Sequence, residues 1–298
     1  MNWSWWTTVR PTIPLDLLGK FARTAPFPVR IALNDRNLGC GQNFSKALSM
    51  CTGDLVFLSD QDDVWFDDKI EKMAGLASTL PDMFCFMNDA ILTDTHLAPY
   101  PFTKLQQVRD HGLPDTGFVM GCCAAMRRQF LDIALPLPAS VIAHDNWLLN
   151  LSDAFGRTHR HPEPLQYYRR HGANLSNVIV NKTERVGPLR LRMQKATELA
   201  RRLHSGHILN SELNMYAALE ERLAARGPEL APLVGQADVA AYARSVGERR
   251  SLLAARLGVR RLSRYRRPLA VAGLYRQGAY RSPSGWLSAL KDLLVANP

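Results

Sequence analysis

Leu55 to Trp65 reads L-V-F-L-S-D-Q-D-D-V-W, and the way this stretch is read decides the fold. Leu55, Val56, Phe57 and Leu58 follow Gly53-Asp54 and give way at once to the carboxylates Asp60, Asp62 and Asp63. A run this short and this rich in strand-favouring residues predicts a strand buried on both faces. Ligands of open α/β sheets gather outside the carboxyl ends of the strands, so the three acids stand where chemistry is expected. Carboxylates this close repel one another unless a cation or hydrogen-bond donors offset the charge, and a hard divalent ion shared with phosphate oxygens is one solution. The alternative is local: Asp62 or Asp63 caps the helix that follows.

Outward from this strand, helices and strands alternate. Upstream, Leu15, Leu18, Phe21 and Ala22 have helical spacing that ends before Pro26 and Pro28, and Val29 to Leu33 reads as a strand. The loop from Asn34 to Asn43 holds Gly39 and Gly41, which suit a tight turn near a ligand or an ordinary strand-to-helix turn. A helix from Phe44 to Met50 is expected to present its first amides there. Residues 1–13, with Trp3, Trp5 and Trp6, show no pattern that assigns them a role.

Downstream, Trp65 to Leu80 predicts an amphipathic helix, with Ile70, Met73, Ala77 and Leu80 on one face and Asp67, Asp68, Lys69, Glu71 and Lys72 elsewhere. Phe84 to Met87 reads as a short strand ending in Asn88-Asp89, residues 93–117 as a long loop, and Phe118 to Met126 as a small apolar stretch. Arg127 to Ala134 predicts a helix stopped by Pro136. His144-Asp145 opens another apolar helix, in which Asp145 is either the cap or a functional acid; Leu165 to Arg169 is a strand running into Arg170-His171. A histidine there is either a structural hydrogen-bonder or a metal ligand. Strands alternating with helices in this order predict an α/β domain with a mostly parallel sheet.

Composition sets the class. The 298 residues, 46% hydrophobic and 21% charged, are those of a folded chain long enough for one elaborated domain or a domain with an appendage. No window approaches a membrane-spanning run, and the N-terminus lacks the features of a secretory leader, so a cytoplasmic location is expected. The five cysteines, Cys40, Cys51, Cys85, Cys122 and Cys123, form no spaced framework and predict reduced, mostly packed thiols. The net charge of +10 is uneven: residues 181–298 carry 21 Lys+Arg against 9 Asp+Glu, and residues 1–180 carry 16 against 18. That basic C-terminal part is helical in pattern, with segments at Leu189 to His204, Asn210 to Ala225 and Val239 to Arg267, and Gly227-Pro228 reads as a break. Its basic surface is either a solvated face or a peripheral membrane contact in which Leu and Trp lie in the interface and Arg meets anionic lipid. A nucleic-acid partner is not expected, because no helix-turn-helix, zinc spacing or RNA-binding aromatic motif accompanies the charge.

Taken together, these residues resemble the nucleotide-sugar glycosyltransferases of family 2, with the GT-A fold, and within them the bacterial rhamnosyltransferase-like branch that builds surface polysaccharide such as O-antigen. The likeness is carried by Asn37-Leu38-Gly39 with Gly41 and Asn43, S-D-Q-D-D-V-W at Ser59 to Trp65 with Lys69-Ile70, Gly121-Cys122 ahead of Arg127-Arg128, His144-Asp145 with Trp147, and Tyr168-Arg169 with His171 and Asn174. It implies roles position by position. Asp60 and Asp63 join Asn37, Gly39 and Asn43 in holding the nucleotide sugar, and Asp62 with His171 binds Mg²⁺ or Mn²⁺. Asp145 is the catalytic base, and Gly121, Cys122 and Trp147 face the acceptor. The implied activity is an inverting, metal-dependent transfer from a nucleoside-diphosphate sugar, first guess dTDP-L-rhamnose, to a glycan or lipid-linked acceptor.

One departure is plain. The family opens with a strand, a helix and a second strand ending in a D-D-G-S-like segment that binds base and ribose, and M-N-W-S-W-W-T-T-V-R-P stands in that place. The organisation expected is therefore an atypical segment at 1–14, an N-terminally incomplete GT-A domain at 15–178 and a basic helical region at 179–298. Either the natural chain is longer, or the protein is a catalytically inactive transferase that serves as a binding protein.

Overall fold

The computed structural model describes residues 3–7, 15–170, 207–281 and 285–294. They fall in two compact units, Met1–Glu184 and Arg185–Pro298.

The first unit is built on β5 (Cys85–Thr93), whose residues C-F-M-N-D-A-I-L-T are buried almost throughout. It pairs antiparallel with β6 (Pro99–Thr103) and β7 (Ala124–Arg127) and parallel with β8 (Thr158–Arg169). β3 (Leu55–Phe57) lies antiparallel on β7, and β4 (Val64–Trp65) antiparallel on β8. The strand order is β3-β7-β5-β8-β4, with β6 pairing β5 off this path. A separate parallel pair joins β1 (Trp3–Thr7) to β2 (Val29–Leu33). Helices α1 (Leu15–Thr24), α2 (Gly39–Met50), α3 (Lys69–Thr79), α4 (Lys104–Asp110), α5 (Arg128–Ala134) and α6 (His144–Asp153) complete the unit. Met73 and Ala77 of α3 meet Phe86, Ala125 and Leu165 from three neighbouring strands in one buried cluster. Each large side chain so buried contributes about 1.5–3 kcal/mol. Small residues in β7 let α3 approach the sheet, because an alanine leaves room for the helix where a larger side chain would hold it off.

The α/β class holds, and several expectations are corrected. The sheet is mixed rather than mostly parallel: β6 and β7 pair antiparallel with β5, β3 antiparallel with β7 and β4 antiparallel with β8, leaving β5–β8 as its parallel pair. Residues 93–117 are not one long loop. They form β6, α4 and a 3₁₀ turn at Asp115–Gly117; Thr103 caps α4 by accepting from Gln106 N at 3.3 Å, and Leu105 and Val108 are buried. α2 starts at Gly39, not Phe44: Asn37 Oδ1 accepts from Gly39 N at 2.8 Å and meets the helix's first free amide. α3 starts at Lys69, not Trp65, because Val64 and Trp65 are drawn into a strand against β8. The patternless start holds a strand, β1, whose partner lies beyond α1 in the chain.

The second unit comprises α7 (His207–Val234), α8 (Gln236–Arg261), α9 (Arg267–Arg276) and α10 (Gly285–Leu294). α7 runs through Gly227-Pro228, where a break was expected; its neighbour α8 packs along it, with Arg250 paired to Glu220 across the two. Val259, Val271, Leu274, Ala279, Tyr280 and Ala289 form the core of the later helices. Within it the fully buried Asp292 accepts from Arg256 Nε at 2.8 Å, Arg260 Nε at 2.9 Å and Tyr280 Oη at 3.0 Å. The expected helix at Leu189 to His204 lies outside the described residues. Among the described residues, no helix is long and apolar enough to cross a membrane.

Candidate active site

β3 delivers the acids. After Phe57 the chain stays on the sheet for one more bond, Leu58 N to Ala124 O at 3.0 Å, then leaves it through Ser59 to Asp63 and returns as β4. The excursion is held from β8. Asp63 Oδ1 accepts from Arg169 N and Oδ2 from Gln166 Nε2, each at 3.1 Å, while Arg169 Nε donates to Asp62 O at 2.8 Å. Beneath it lies Lys69, fully buried although its charge predicts the solvent face of α3. Its ammonium donates to Cys122 O at 3.0 Å and to Gln166 Oε1, and lies 4.1 Å above the Trp65 ring. Burial depresses the Lys69 pKa, and the nearby thiols and the Asp63 and Asp60 carboxyls oppose that shift.

Asp60, Asp63 and Cys122 come together, with a potential ligand atom of each within 4.8 Å of the others. Burial, then the neighbouring carboxylates, lift Asp60 to about 6; burial likewise lifts Asp63 to about 6, against the Cys122 thiol and the Arg169 amide that bond to it. Two carboxylates that resist ionising together form a donor set that a divalent cation satisfies, and oxygen donors suit Mg²⁺ or Mn²⁺. The Cys122 thiol, its pKa pushed well up, serves this pair as a hydrogen-bond donor rather than as a soft ligand.

Asp145 enters from α6, in that helix's first turn. Its charge acts on Asp60 and on Cys40, so the two acids, far apart in sequence, share one neighbourhood. Gly121 joins the two sides. A Cβ there would lie 2.7 Å from His144 Nε2 and 3.5 Å from Asp145 Cβ, and the next residue, Cys122, touches the acid pair. His144, 7% exposed, is stacked on Phe44 at 3.8 Å between ring centroids, and neither ring nitrogen has a hydrogen-bond partner. Burial depresses its pKa, so the ring is neutral. Gly41 makes the approach of α6 possible: a Cβ there would fall 2.6 Å from Ile142 O and 2.8 Å from Val141 O.

The other expected site residues are placed as follows. Asn37 Oδ1 accepts from Gly39 N in the turn that leads into α2, and Gly39 itself has φ +75° with open space around it. Asn43 Oδ1 accepts from Asn34 Nδ2 at 2.7 Å, and Lys46 holds the same Asn34. Trp147 is buried and its indole donates to Ala134 O at 3.1 Å, so its place is in the core under α6 and it offers the acceptor no surface. Asp62 is half-buried beside the cluster, and His171 lies outside the described residues. Sequence reasoning did not assign site roles to Lys69, Gln166 and His144. Lys69 and the S-D-Q-D-D-V-W segment travel together in the motif, and that pairing was the available signal.

Residues 15–133 match the family model described as Glycosyl transferase family 2. The uncharacterized protein Rv1520 of Mycobacterium tuberculosis is 29% identical over 163 residues, covering 52% of this chain and 46% of that protein, and the uncharacterized protein Mb1547 of Mycobacterium bovis gives the same values. The chain thus spans less than half the length of these curated relatives. Among solved structures, S. aureus TarS 1-349 in complex with UDP-GlcNAc has a TM-score of 0.48 at 10% identity, over 97% of this chain and 79% of that one. The mannosyltransferase PcManGT from Pyrobaculum calidifontis in complex with GDP-Man and Mn²⁺ has a TM-score of 0.42 at 15% identity, over 98% and 77%. Likenesses at this level lend no residue role to the present chain.

Proposed function

We propose that the protein is an inverting glycosyltransferase that moves a sugar from a nucleoside diphosphate to a hydroxyl of a glycan or lipid-linked glycan. The observation that carries this reading is the approach of Asp145 to Asp60, with Gly121 beside Asp145 and Cys122 beside the Asp60–Asp63 pair. The acid pair, with Asp62 next to it in sequence and His171 beyond β8, is the proposed holder of Mg²⁺ or Mn²⁺. A cation bound there would neutralise diphosphate charge as it builds on the leaving group. Asp145 takes the proton of the acceptor hydroxyl while its oxygen bonds to the anomeric carbon and the carbon–oxygen bond to the diphosphate breaks. Attack from the side opposite the diphosphate inverts that carbon. Lys69 and Gln166 position the acids and do not touch substrate. A rhamnosyltransferase-like donor, dTDP-L-rhamnose, is the first to try, and the basic C-terminal region would bring the chain to a membrane face where lipid-linked acceptors reside.

Calorimetric titration of dTDP and UDP with and without Mn²⁺ tests the reading, with Asp60→Asn beside it. Metal-dependent binding that the variant loses is the expected result. A folded chain that binds neither nucleotide overturns it.

A further inference from the structure

α10 carries apolar side chains both where it meets its neighbours, through Ala289 and Leu293, and where it faces solvent. Its inward side holds Ala289 and the buried Asp292. Its outward side carries Trp286, Leu290 and Leu294, 60%, 39% and 72% exposed, at i, i+4 and i+8, one stripe along the helix. α9 does the same on a smaller scale: Val271 and Leu274 are buried, and Leu269 and Tyr275 are exposed. Exposed apolar residues scattered singly need no explanation, whereas a helix-long stripe does.

The charge around the stripe is of one sign. From Arg249 to the end, the sequence has eleven Lys+Arg and one acid, Asp292. That acid is fully buried between Arg256 and Arg260, which spend their own charge on it. Arg261, Arg264, Arg266, Arg276 and Arg281 are exposed, and beyond Glu248 the sequence offers no acid but the buried Asp292. An apolar stripe bearing Trp, beside arginines without acidic neighbours, matches a surface that is apolar below and anionic above, which is an anionic lipid bilayer.

We infer that α9 and α10 form a membrane-docking surface, on which Trp286, Leu290 and Leu294 enter the headgroup boundary of an anionic leaflet and the exposed arginines bind its phosphates. This deepens the membrane contact proposed above by assigning it to two helices, and it rests on their surface alone, so it stands or falls apart from the transferase chemistry.

The test is co-sedimentation of the full chain with vesicles of phosphatidylcholine alone or of phosphatidylcholine with phosphatidylglycerol. Binding is expected on the anionic vesicles only, weakened by salt. The triple variant Trp286→Ser, Leu290→Ser, Leu294→Ser is expected to lower the partition coefficient by about tenfold or more, and Arg264→Glu with Arg266→Glu by a comparable factor. All these side chains except the half-exposed Leu290 are largely in solvent, so the variants keep the fold, which circular dichroism checks. Nucleotide binding by calorimetry, measured on the same samples, reports separately on the catalytic reading. A folded chain that ignores anionic vesicles at low salt overturns the inference, as does a triple variant that binds them equally well. A wild-type dimer in sedimentation velocity that the triple variant abolishes, without vesicle binding, also overturns it and gives the stripe to a second copy of the chain.

Discussion

An alanine Cβ at position 121 would lie 2.7 Å from His144 Nε2, at the edge of a buried ring whose face is stacked on Phe44. Gly121→Ala therefore displaces the first turn of α6 and with it Asp145. Its expected effect is a fall in kcat of about tenfold or more with little change in donor KM, since misplacing a catalytic group mainly affects the transition state. His144→Ala in the same chain removes the obstacle, and the double variant should recover much of the loss; a double variant no better than Gly121→Ala would mean that the clash is not the route. The acid pair predicts a pH dependence at the same scale. Asp60 and Asp63 sit at about 6 in the folded chain, above the ~3.9 of an unfolded Asp. The folded state thus holds more protons than the unfolded state between these values, and stability falls as pH rises from about 4 to about 6. Mn²⁺ should then raise Tm at pH 7.5 and much less at pH 5, where protons occupy the carboxylates. Equal gains at both pH values in thermal melts would contradict this assignment.

At the scale of elements, the adjacent Arg127 and Arg128 show why residues quoted for a family likeness need not be catalytic. Arg127 donates from Nε to Met83 O at 2.8 Å and from its terminal nitrogen to Ala77 O and Leu80 O, closing the end of α3. Arg128 donates to Leu48 O at 3.0 and 3.2 Å and to Cys51 O at 2.6 Å, closing the end of α2. Two consecutive residues at the junction of β7 and α5 thus fasten two helices, and each adds positive charge where the helix dipole favours it. Arg128→Ala should cost ~2–3 kcal/mol in urea unfolding, because charge-assisted bonds to carbonyls are lost together. Lysine at 128 should recover little, lacking the fork that reaches both carbonyls. The same scale shows where local reading stops. α5 and α6 were legible from their apolar spacing, whereas β4 and β6 are strands only because β8 and β5 offer them partners, information that no window of sequence contains.

At the scale of the whole molecule, Asp145→Asn should lower turnover by about 10²-fold or more while leaving metal-dependent nucleotide binding intact, since the proposed base meets the acceptor and not the diphosphate. Single-turnover assays beside calorimetry would separate the two, and unchanged turnover would remove Asp145 as the base. The amino-acid sequence by itself determined the alternating elements, the acidic strand end at Asp60 to Asp63, the His144-Asp145 helix start and the basic helical tail, because each is written in neighbouring residues. Only the tertiary structure decided that Asp60 and Asp63 converge with Cys122, that Lys69 lies beneath them and not in solvent, and that Trp147 supports α6 from the core. The mixed order of the sheet was decided there too. The physical reason is common to all of these: they depend on which side chains distant strands and helices bring within a few ångströms, and burial and hydrogen bonding between such partners override what each residue prefers alone.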